Sequence, residues 1–418
     1  MRFARLLARI ITEGELTLVD AAGVTHRMGR AGGRPAVTVR LRDRSLHRRL
    51  LLDPRLAVGE AYMEGSLTVE AGSLADFLEL LCRNLGDGTA GAIDRWIGRA
   101  RMAWRHLTQL NTPRQARRNV AHHYDLTGAL YDLFLDRDRQ YSCAYFLDPD
   151  DGLDRAQMLK KRHIAAKLLL DPGMKVLDIG SGWGGLALSL ADWADVEVTG
   201  ITLSEEQRGA STARAEERGL AGRVQFVLRD YRDQTGPFDR IVSVGMLEHV
   251  GAPNYRTFFG KVADCLADDG VALIHTISHR DGPYPTNPWL SKYIFPGGYS
   301  PSLSELLPAI ERAGLWVTDV EILRLHYAET LRRWRQRFLS NWDAAATLYD
   351  ERFCRMWEFY LAGCEMAFRH QGHMVAQIQL AKSVDAVPLT RDYIAAWEDR
   401  FPLETDVFAA HGRKSGRR

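Results

Sequence analysis

Strand-like and helix-like segments alternate along the chain from about residue 155, and this alternation constrains the fold more than any other feature of the sequence. MKVLDIG, VEVTGIT, VQFVLRD, DRIVSVGM and VALIHTIS are apolar and of strand length, and the helical patterns GGLALSLADWA and EEQRGASTARAEERG follow the first two. Strands that alternate with helices form a parallel sheet covered on both faces. The sequence therefore predicts a doubly wound α/β domain, with its ligand site at the carboxyl ends of the strands.

A glycine-rich turn follows the first of these strands. Asp178 ends the strand, and Gly180, Gly182 and Gly184 follow at alternate positions. Glycines here let the backbone turn sharply and let a ligand approach the main chain before the next helix begins. Nicotinamide enzymes, flavin enzymes and methyltransferases all use such a turn, so the motif alone predicts only that a cofactor is bound.

Two details favour S-adenosylmethionine over a dinucleotide. The spacing is GxGxG, without the third glycine that dinucleotide folds place three residues further on, at the start of the helix. The second strand ends in Thr202 and Leu203, without an acidic residue to hold a dinucleotide ribose. After the third strand, Asp230, Tyr231 and Arg232 stand where a doubly wound methyltransferase usually contacts adenine.

The front of the chain has a different organisation and a basic charge. Residues 1–118 contain 20 Lys and Arg and 12 Asp and Glu, a net charge of +8, whereas the rest of the chain has a net charge of −6. Short strand and helix patterns mix up to about residue 106, and the polar, basic segment that follows predicts a linker. We therefore expect a smaller α+β domain at 1–106, a linker at 107–118 and the α/β domain at 119–418.

A basic front half predicts an anionic partner, either membrane headgroups or nucleic acid. The first helical pattern places Phe3, Leu6, Leu7 and Ile10 on one face with arginines off it, which suits either a membrane interface or packing on its own domain. No apolar stretch approaches the ~18 residues of a membrane span, and the N-terminus lacks a signal-peptide pattern. With five cysteines and no CxxC motif, the sequence predicts a cytoplasmic protein without a disulfide framework or metal site.

Further motifs lie around and beyond the strands. They are YSCAYF, TLSEEQ, LEHVG, HTI, FPGG, HYAETL and AGCEM. Together with LDIGSGWGG, they make the chain resemble the cyclopropane-fatty-acyl-phospholipid synthases and the related mycolic acid cyclopropane synthases, in order and with comparable spacing from about residue 119 to about 380. The front segment, with its GEAYMEG motif, resembles the smaller N-terminal domain of the phospholipid enzymes.

The resemblance implies a Rossmann-like class I methyltransferase domain that adds a methylene group from S-adenosylmethionine across a cis double bond of a phospholipid acyl chain. It implies a carbocation intermediate, a bound bicarbonate ion as the base, and a peripheral position on the phospholipid bilayer at the inner face of the membrane. Family members often form dimers, which leaves a homodimer open.

The family's site residues carry over onto matching positions. The bicarbonate cradle would be Cys143, Glu248, His275, Ile277 and Tyr327, and Cys364 matches a cysteine often marked as the active-site residue. The cofactor contacts would be Tyr141, Ser142, Val176, Asp178, Gly180, Gly182, Trp183, Gly184, Thr202, Leu203, Gln207, Tyr231 and Arg232. Ser181 is a departure within the cofactor loop, because family members usually have cysteine there.

The chemistry of an alkene explains the demand for such residues. An isolated alkene has no acidic proton, so the methyl group must be delivered in line to the π bond, and a proton must then leave the new methyl group. Glu248 and the Tyr327 hydroxyl would orient the base, and His275 would relay the proton outward. Aromatic faces of Tyr124, Tyr145 or Phe295 would stabilise the cation.

A segment rich in proline, glycine and aromatic residues, DGPYPTNPWLSKYIFPGGYS, follows the fifth strand. Loops of this length without regular structure are usually functional, and the alternative is a long surface loop. We predict that this segment lines a tunnel for the acyl chain with Trp289, Tyr293, Ile294 and Phe295.

Three other functions compete with the synthase. A C-methyltransferase of lipid acyl chains, which makes a methyl-branched or methylene product, would have the same site and stays open, because the fate of the cation depends on where the base lies. A lipid-binding protein with an inactive methyltransferase domain is disfavoured because Gly180, Gly182, Glu248, His275 and Tyr327 are all present. A nucleic-acid methyltransferase would need a motif such as NPPY, which the sequence lacks, so we expect no nucleic-acid partner.

Overall fold

Residues 2–85 and 127–401 are described by the structure, a computed structural model. The first range contains α1 (Arg2–Ile10), β1 (Glu15–Val19), β2 (Thr25–Gly29), β3 (Ala36–Leu41), α2 (Leu46–Leu52), α3 (Pro54–Met63), β4 (Leu67–Ala71) and α4 (Leu74–Leu85). The second contains α5 (Gly128–Asp132), α6 (Leu153–Leu168), β5 (Lys175–Ile179), α7 (Gly185–Ala194), β6 (Glu197–Thr202), α8 (Glu205–Glu217), β7 (Val224–Leu228), β8 (Phe238–Val244), α9 (Tyr255–Cys265), β9 (Leu266–His279), α10 (Pro288–Tyr293), α11 (Leu303–Arg312), β10 (Trp316–Leu323), α12 (His326–Ser340), α13 (Trp342–Leu348), α14 (Glu351–His370), β11 (His373–Ala381) and α15 (Asp392–Arg400).

A seven-stranded sheet in the order β10-β11-β9-β8-β5-β6-β7 organises the second range. Strands β5 to β9 are parallel to one another, and β11 is antiparallel to both β9 and β10. The five parallel strands are the five segments that the sequence predicts, so the predicted doubly wound fold is confirmed. The chain reverses its direction of travel across the sheet between β5 and β8, and doubly wound sheets bind their ligands at such a reversal.

The strands of this sheet are apolar because helices cover both of their faces. Val176 of β5 packs with Ile164 of α6 and Leu186 of α7 on one side. Its neighbour Leu177 packs with Phe258 of α9 on the other side. Successive strand residues point to opposite faces, so a strand covered on both sides reads as a continuous apolar run.

An aromatic core lies beside the sheet, at the end of β9. It contains Phe134, Trp334, Trp357 and Tyr360 from the helical segments, and Ile277 of β9 packs against it. These rings therefore form an apolar wall next to the carboxyl edge of the sheet. None of the helices in residues 2–85 and 127–401 is long and apolar enough to cross a bilayer.

The front segment folds around its own sheet, in the order β2-β1-β3-β4. Strands β1 and β3 pair with each other in parallel, and β2 forms a hairpin with β1. Phe3 of α1 is buried in this unit and Leu7 and Ile10 are partly buried, whereas Leu6 is 45% exposed. The apolar face of α1 thus packs mainly on its own domain. The predicted linker 107–118 lies outside the described residues.

Helix α14 joins the two parts of the molecule. Its residues Ala362 and Met366 complete the hydrophobic core of the front segment. The Tyr62 hydroxyl of α3 donates a hydrogen bond to Glu358 of the same helix at 2.5 Å. The front unit is therefore packed directly on a helix of the second range.

We expect the replacement of Gly59 by alanine to destabilise this contact. A Cβ at Gly59 would lie 2.5 Å from Nε1 of the buried Trp289 and 2.8 Å from Phe359 Cε1. Overpacking of this kind costs about 1–3 kcal/mol of unfolding free energy, which exceeds the roughly 1 kcal/mol that alanine gains over glycine inside a helix. The matched control is Gly260→Ala in α9, where a Cβ would meet nothing within 4 Å. Denaturant unfolding should show a loss for the first variant alone, and equal midpoints would contradict this packing.

Candidate active site

A pocket opens at the carboxyl ends of the parallel strands, where the doubly wound fold places its ligand. Eleven of the thirteen predicted cofactor positions line it, namely Tyr141, Ser142, Asp178, Gly180, Gly182, Trp183, Thr202, Leu203, Gln207, Tyr231 and Arg232. The other two positions lie outside the lining. Val176 is buried within β5. Gly184 directly precedes α7 and has a φ of 80°. A Cβ at this position would lie 2.7 Å from Phe226 Cζ, so the glycine allows close packing.

The glycine-rich loop adopts a conformation that other residues rarely reach. Gly180 has a φ of 86° and Gly182 a φ of 53°, both in the left-handed region that favours glycine. The amides of Gly180 and Ser181 donate to the Ile201 carbonyl at 2.9 and 3.0 Å. These bonds fix the loop on the end of β6 and leave its inner side to a ligand.

Hydrogen bonds at the ends of β6 and β7 order the far side of the pocket. The Thr202 hydroxyl donates to the side-chain oxygen Oε1 of Gln207 at 2.9 Å. The backbone amide of Gln207 donates to the Ser204 hydroxyl at 3.2 Å, and this bond caps α8. After β7, the Arg232 guanidinium forms an ion pair with Asp230 and lies 5.4 Å from the centre of the Tyr231 ring. This side of the pocket therefore presents a flat ring next to a fixed ion pair.

Asp178 is a buried carboxyl in the lining of the pocket. Its Oδ2 atom has no hydrogen-bond partner within the described parts of the chain. Burial raises the pKa of Asp178 to about 7, against a smaller opposing effect of Lys160. A cation nearby would restore the ionised form. The orphaned carboxyl therefore fits S-adenosylmethionine, which carries a sulfonium and an ammonium group.

Glu248 lies directly behind the pocket lining, in a short 3-10 helix after β8. Its Oε1 accepts a hydrogen bond from the Ile277 amide at 2.6 Å, while its Oε2 is buried without a hydrogen-bond partner in residues 2–85 and 127–401. Burial raises the pKa of Glu248 despite that hydrogen bond. Its chain neighbour His249 lines the pocket itself.

Tyr327 and Ile277 lie next to Glu248, and Cys143 and Cys364 lie next to Tyr327. Burial raises the pKa of the Tyr327 hydroxyl, and the proximity of Cys143, Glu248 and Cys364 raises it further. Burial also raises the pKa of the Cys143 thiol, and it raises that of Cys364 to about 12. With Ile277, these residues form a cluster of groups that stay uncharged at neutral pH.

His275 lies two residues before Ile277 on β9 and so points to the same face of the sheet. Its Nδ1 atom is 3.2 Å from Nε2 of Gln377 on β11. Burial and the nearby Lys160 and Lys167 lower the pKa of His275 to about 3. The imidazole is therefore neutral across the physiological pH range.

Aromatic rings enclose the cluster. The Tyr327 and Phe368 rings are 4.9 Å apart, and the Tyr141 and Trp334 rings are 5.2 Å apart. The hydroxyls of Tyr141 and Tyr360 are 2.8 Å apart, which links the pocket lining to α14.

The structure describes two of the three aromatic residues that were predicted to face the cation. The prediction that Tyr145 faces the cation is wrong, because its ring is stacked between the rings of His163 at 4.4 Å and His326 at 4.8 Å. Tyr124 lies outside the described residues. Phe295 lies 5.6 Å from the Tyr360 ring, next to the enclosure. In the predicted tunnel segment, Trp289 packs against Phe359 of α14 at 4.7 Å.

Lys160 of α6 is a buried charge that the sequence motifs do not include. Its Nζ donates to Gln140 Oε1 at 2.6 Å and to the Ser142 hydroxyl at 2.8 Å. Burial lowers the pKa of Lys160 to about 8. The signal in the sequence is that Lys160 stands four residues from both Ala156 and Ile164, on the buried face of the helix. It supports the floor of the pocket beneath Ser142.

The strand order and the glycine-rich pocket at the carboxyl edge define a class I S-adenosylmethionine-dependent methyltransferase. The family model described as mycolic acid cyclopropane synthetase matches residues 111–378. The protein therefore belongs to this family, which also contains the cyclopropane-fatty-acyl-phospholipid synthases that the sequence resembles.

Two relatives match most of the sequence. It is 38% identical over 369 residues to the cyclopropane-fatty-acyl-phospholipid synthase of Escherichia coli strain K12, which covers 88% of this chain and 92% of that protein. It is also 38% identical over 344 residues to a probable fatty acid methyltransferase of Pseudomonas putida, which covers 81% of this chain and 85% of that protein. Among solved structures, mycolic acid cyclopropane synthase CmaA1 in complex with SAH and CTAB superposes with a TM-score of 0.59 at 34% identity, over 63% of this chain and 97% of that one.

The pKa of Asp178 predicts how cofactor affinity changes with pH. The carboxyl of the cofactor-free protein titrates at about pH 7, and a bound cation favours its ionised form. Binding therefore releases a proton below pH 7, and affinity rises as the pH increases through 7, by up to about tenfold for each unit that the bound cofactor lowers the pKa.

Calorimetric titration with S-adenosylhomocysteine and S-adenosylmethionine, in two buffers of different ionisation enthalpy, measures this proton. Asp178→Asn should abolish the proton release, and Glu311→Gln, which changes an exposed carboxylate on α11, should preserve it. A wild-type affinity for S-adenosylmethionine that does not change between pH 6 and pH 8 would contradict the assignment.

Proposed function

We propose that the protein is a cyclopropane-fatty-acyl-phospholipid synthase, which adds a methylene group from S-adenosylmethionine across a cis double bond of a phospholipid acyl chain, with bicarbonate as the base. The observation that carries the proposal is the buried Glu248 carboxyl, with one oxygen held by the Ile277 amide and the other without a partner in the described residues. This orphaned group lies beside the cofactor pocket and within an aromatic enclosure, where methyl transfer to an apolar substrate would occur.

The polar groups of this cluster fit a small anion. The Oε2 atom of Glu248 can accept the O–H of bicarbonate, and the Tyr327 hydroxyl, whose pKa is raised by burial, donates a hydrogen bond to it. We assign the binding of bicarbonate to these two groups, together with the main chain of Cys143. The Ile277 amide is already engaged by Glu248, so it orients that carboxyl. When it is held there, bicarbonate supplies a base of moderate strength for a proton of the new methyl group.

The residues around the cluster protect an electron-poor intermediate on the substrate. S-adenosylmethionine supplies an electrophilic methyl group, and its transfer to the double bond leaves a carbocation on the acyl chain. The Tyr327, Phe368 and Tyr360 rings offer π faces to such a cation. The thiols of Cys143 and Cys364 remain protonated because burial raises their pKa values, so no thiolate competes for the methyl group or traps the cation.

A C-methyltransferase of lipid acyl chains is the second candidate, because the Pseudomonas putida relative is named as a fatty acid methyltransferase. The two reactions share the cofactor, the first bond and the cation. They differ in the fate of the cation. Ring closure requires proton loss from the new methyl group while the cation is on the neighbouring carbon, a methyl-branched alkene requires proton loss from an acyl carbon, and a methylene branch requires a 1,2-hydride shift before the methyl group loses its proton. The nearness of a fixed base to the methyl group decides between them.

We also infer that the front domain, which we place at 1–106, brings the enzyme to the inner surface of a phospholipid bilayer. Leu6 of α1 is 45% exposed, and Leu51 and Leu52 at the end of α2 are 41% and 71% exposed. The two helices meet where the Phe3 and His47 rings lie 6.5 Å apart. Exposed Arg5, Arg9, Arg44 and Arg48 accompany these leucines. Basic and apolar side chains together suit a surface of anionic headgroups.

The central experiment follows the label from S-adenosylmethionine into lipid. The full-length protein is incubated with methyl-labelled cofactor and vesicles of cis-monounsaturated phospholipid, and released fatty acids are analysed by mass spectrometry with fragmentation that locates rings and branches. We expect a labelled cyclopropane ring. A labelled methyl or methylene branch would establish the C-methyltransferase instead, and an unlabelled lipid fraction would overturn both and favour a lipid-binding protein.

Glu248→Gln tests the residue that carries the proposal. The amide keeps the volume of the side chain, but with its oxygen held by the Ile277 amide it presents N–H where Oε2 accepts a hydrogen bond, so we expect turnover to fall by about 100-fold or more, as for the loss of a positioned base, with cofactor affinity unchanged. Glu358→Gln is the matched control, because Glu358 is buried with a raised pKa but contacts Tyr62 of the front unit. Near-normal turnover of the Glu248 variant would remove this residue from the mechanism.

The inferred membrane surface predicts a selective effect of surface charge. Leu51→Glu combined with Leu52→Glu should weaken binding to anionic vesicles in a sedimentation assay and reduce turnover on vesicles. The same change at the exposed Val384 and Leu389, which are 65% and 105% exposed between β11 and α15, should leave both quantities unchanged. Equal vesicle binding by the two double variants would show that the front domain does not carry this surface.

A further inference from the structure

A line of buried polar side chains leads away from His275 on the side opposite its Nε2 atom. Gln377 stands directly opposite His275 in the antiparallel pair of β9 and β11, and Gln377 Nε2 lies 3.2 Å from His275 Nδ1. The other end of the amide, Oε1, accepts a hydrogen bond from Lys167 Nζ at 2.8 Å. All three side chains are at most 2% exposed.

Lys167 determines which way the Gln377 amide points. An ammonium group can only donate hydrogen bonds, so the amide atom that it contacts must be the oxygen. The amide nitrogen then faces His275, and because it can only donate, His275 Nδ1 must accept. A neutral imidazole that accepts at Nδ1 carries its proton at Nε2.

Lys167 is itself held in place by a charged network. Its Nζ also donates to Glu321, which accepts a hydrogen bond from His163 Nε2 at 2.7 Å. The other nitrogen of His163 lies 2.8 Å from Glu398 of α15. With a carboxylate at each nitrogen, His163 has a raised pKa and both of its ring nitrogens donate. Burial lowers the pKa of Lys167, and the Glu321 carboxylate opposes that shift, so the ion network favours the ammonium form and directs it at Gln377.

We propose that Gln377, oriented by Lys167, is a positioning residue that fixes His275 as the neutral Nε2–H tautomer and thereby makes it a hydrogen-bond donor toward the anion held at Glu248 and Tyr327. This deepens the proposed function and rests on it for the identity of the anion, but the tautomer follows from the hydrogen bonds alone. The contact with Gln377 engages Nδ1 and leaves Nε2 outside this polar network, so its proton is directed to a ligand.

The assignment changes the role expected for His275. The relay inferred from the sequence would require the imidazole to take up a proton and carry a positive charge. Burial and the neighbouring lysines oppose that charge and lower the pKa of His275 to about 3. The neutral donor instead stabilises the negative charge of the base, which itself takes up the proton.

Ring ¹⁵N spectra of the full-length protein labelled at histidine test the tautomer directly, with the His275 signal identified by its loss in His275→Gln. We expect a pyridine-type Nδ1 and a protonated Nε2 that do not change between pH 5 and pH 8. A protonated Nδ1 in the wild-type protein would overturn the proposal.

Gln377→Glu reverses the polarity of the contact with almost the same shape. A carboxylate next to His275 accepts a hydrogen bond from Nδ1–H, so the spectrum should show the Nδ1–H tautomer, with Nε2 turned into an acceptor. We expect kcat to fall by about 10- to 100-fold, as when the partner of a functional histidine is lost, with the dissociation constant for S-adenosylhomocysteine unchanged. Lys167→Met, which frees the amide of Gln377 to rotate, should give a mixture of tautomers and an intermediate kcat.

Gln379→Leu is the matched control. Gln379 is as buried as Gln377, lies two residues along the same strand and bonds to the Lys167 carbonyl and the Tyr393 hydroxyl, without contact to His275. It should lower stability but keep the Nε2–H tautomer and kcat. An equal loss of kcat in this control would reduce Gln377 to a structural role. If the tautomer is found but wild-type protein labels no lipid, the proposed function fails and the positioning of His275 stands.

Discussion

The hydrogen bond between the Ile277 amide and Glu248 joins the two halves of the active site. It ties the end of β9 to the turn after β8, and the turn carries His249 into the cofactor pocket. Ser142 and His249 line the pocket, and their chain neighbours Cys143 and Glu248 belong to the buried cluster. The pocket and the cluster are thus adjacent along the chain at two places. A buried carboxyl with an unsatisfied oxygen costs free energy, and sites retain such groups for a ligand that completes them.

Burial shifts the pKa of every titratable group in the cluster. It raises the pKa values of Glu248, Tyr327, Cys143 and Cys364, and it lowers that of His275. In each case the uncharged form is favoured. The enclosure is therefore a space lined by aromatic rings in which burial opposes a charge on each titratable side chain. Such a space suits a cation that any nearby nucleophile would quench.

The sequence was most informative where a function depends on consecutive residues. The five parallel strands and the turn from Asp178 to Gly184 follow from apolar runs and glycine spacing, and the structure contains them at those positions. Relations between distant segments were not accessible in this way. Tyr145 was expected to lie near the site, but His163 and His326 cover both faces of its ring.

Polar residues in buried elements are a further signal in the sequence. Gln377 and Gln379 alternate within an otherwise apolar strand and face Lys167 of α6. A polar side chain at such a position must find a partner across the packing interface, but the pairing depends on the antiparallel register of β9 and β11, which no local pattern specifies.

Helix α14 shows how the same interface serves both parts of the molecule. Tyr360, Cys364 and Phe368 recur at four-residue spacing and face the cluster around Tyr327, whereas Ala362 and Met366 lie in the core of the front unit. Residues four apart lie on one face of a helix, so one rigid element presents the site on one side and the front sheet on the other. Packed interiors deform little. The front unit and the second range together therefore determine the position of this helix, and with it the wall of the site.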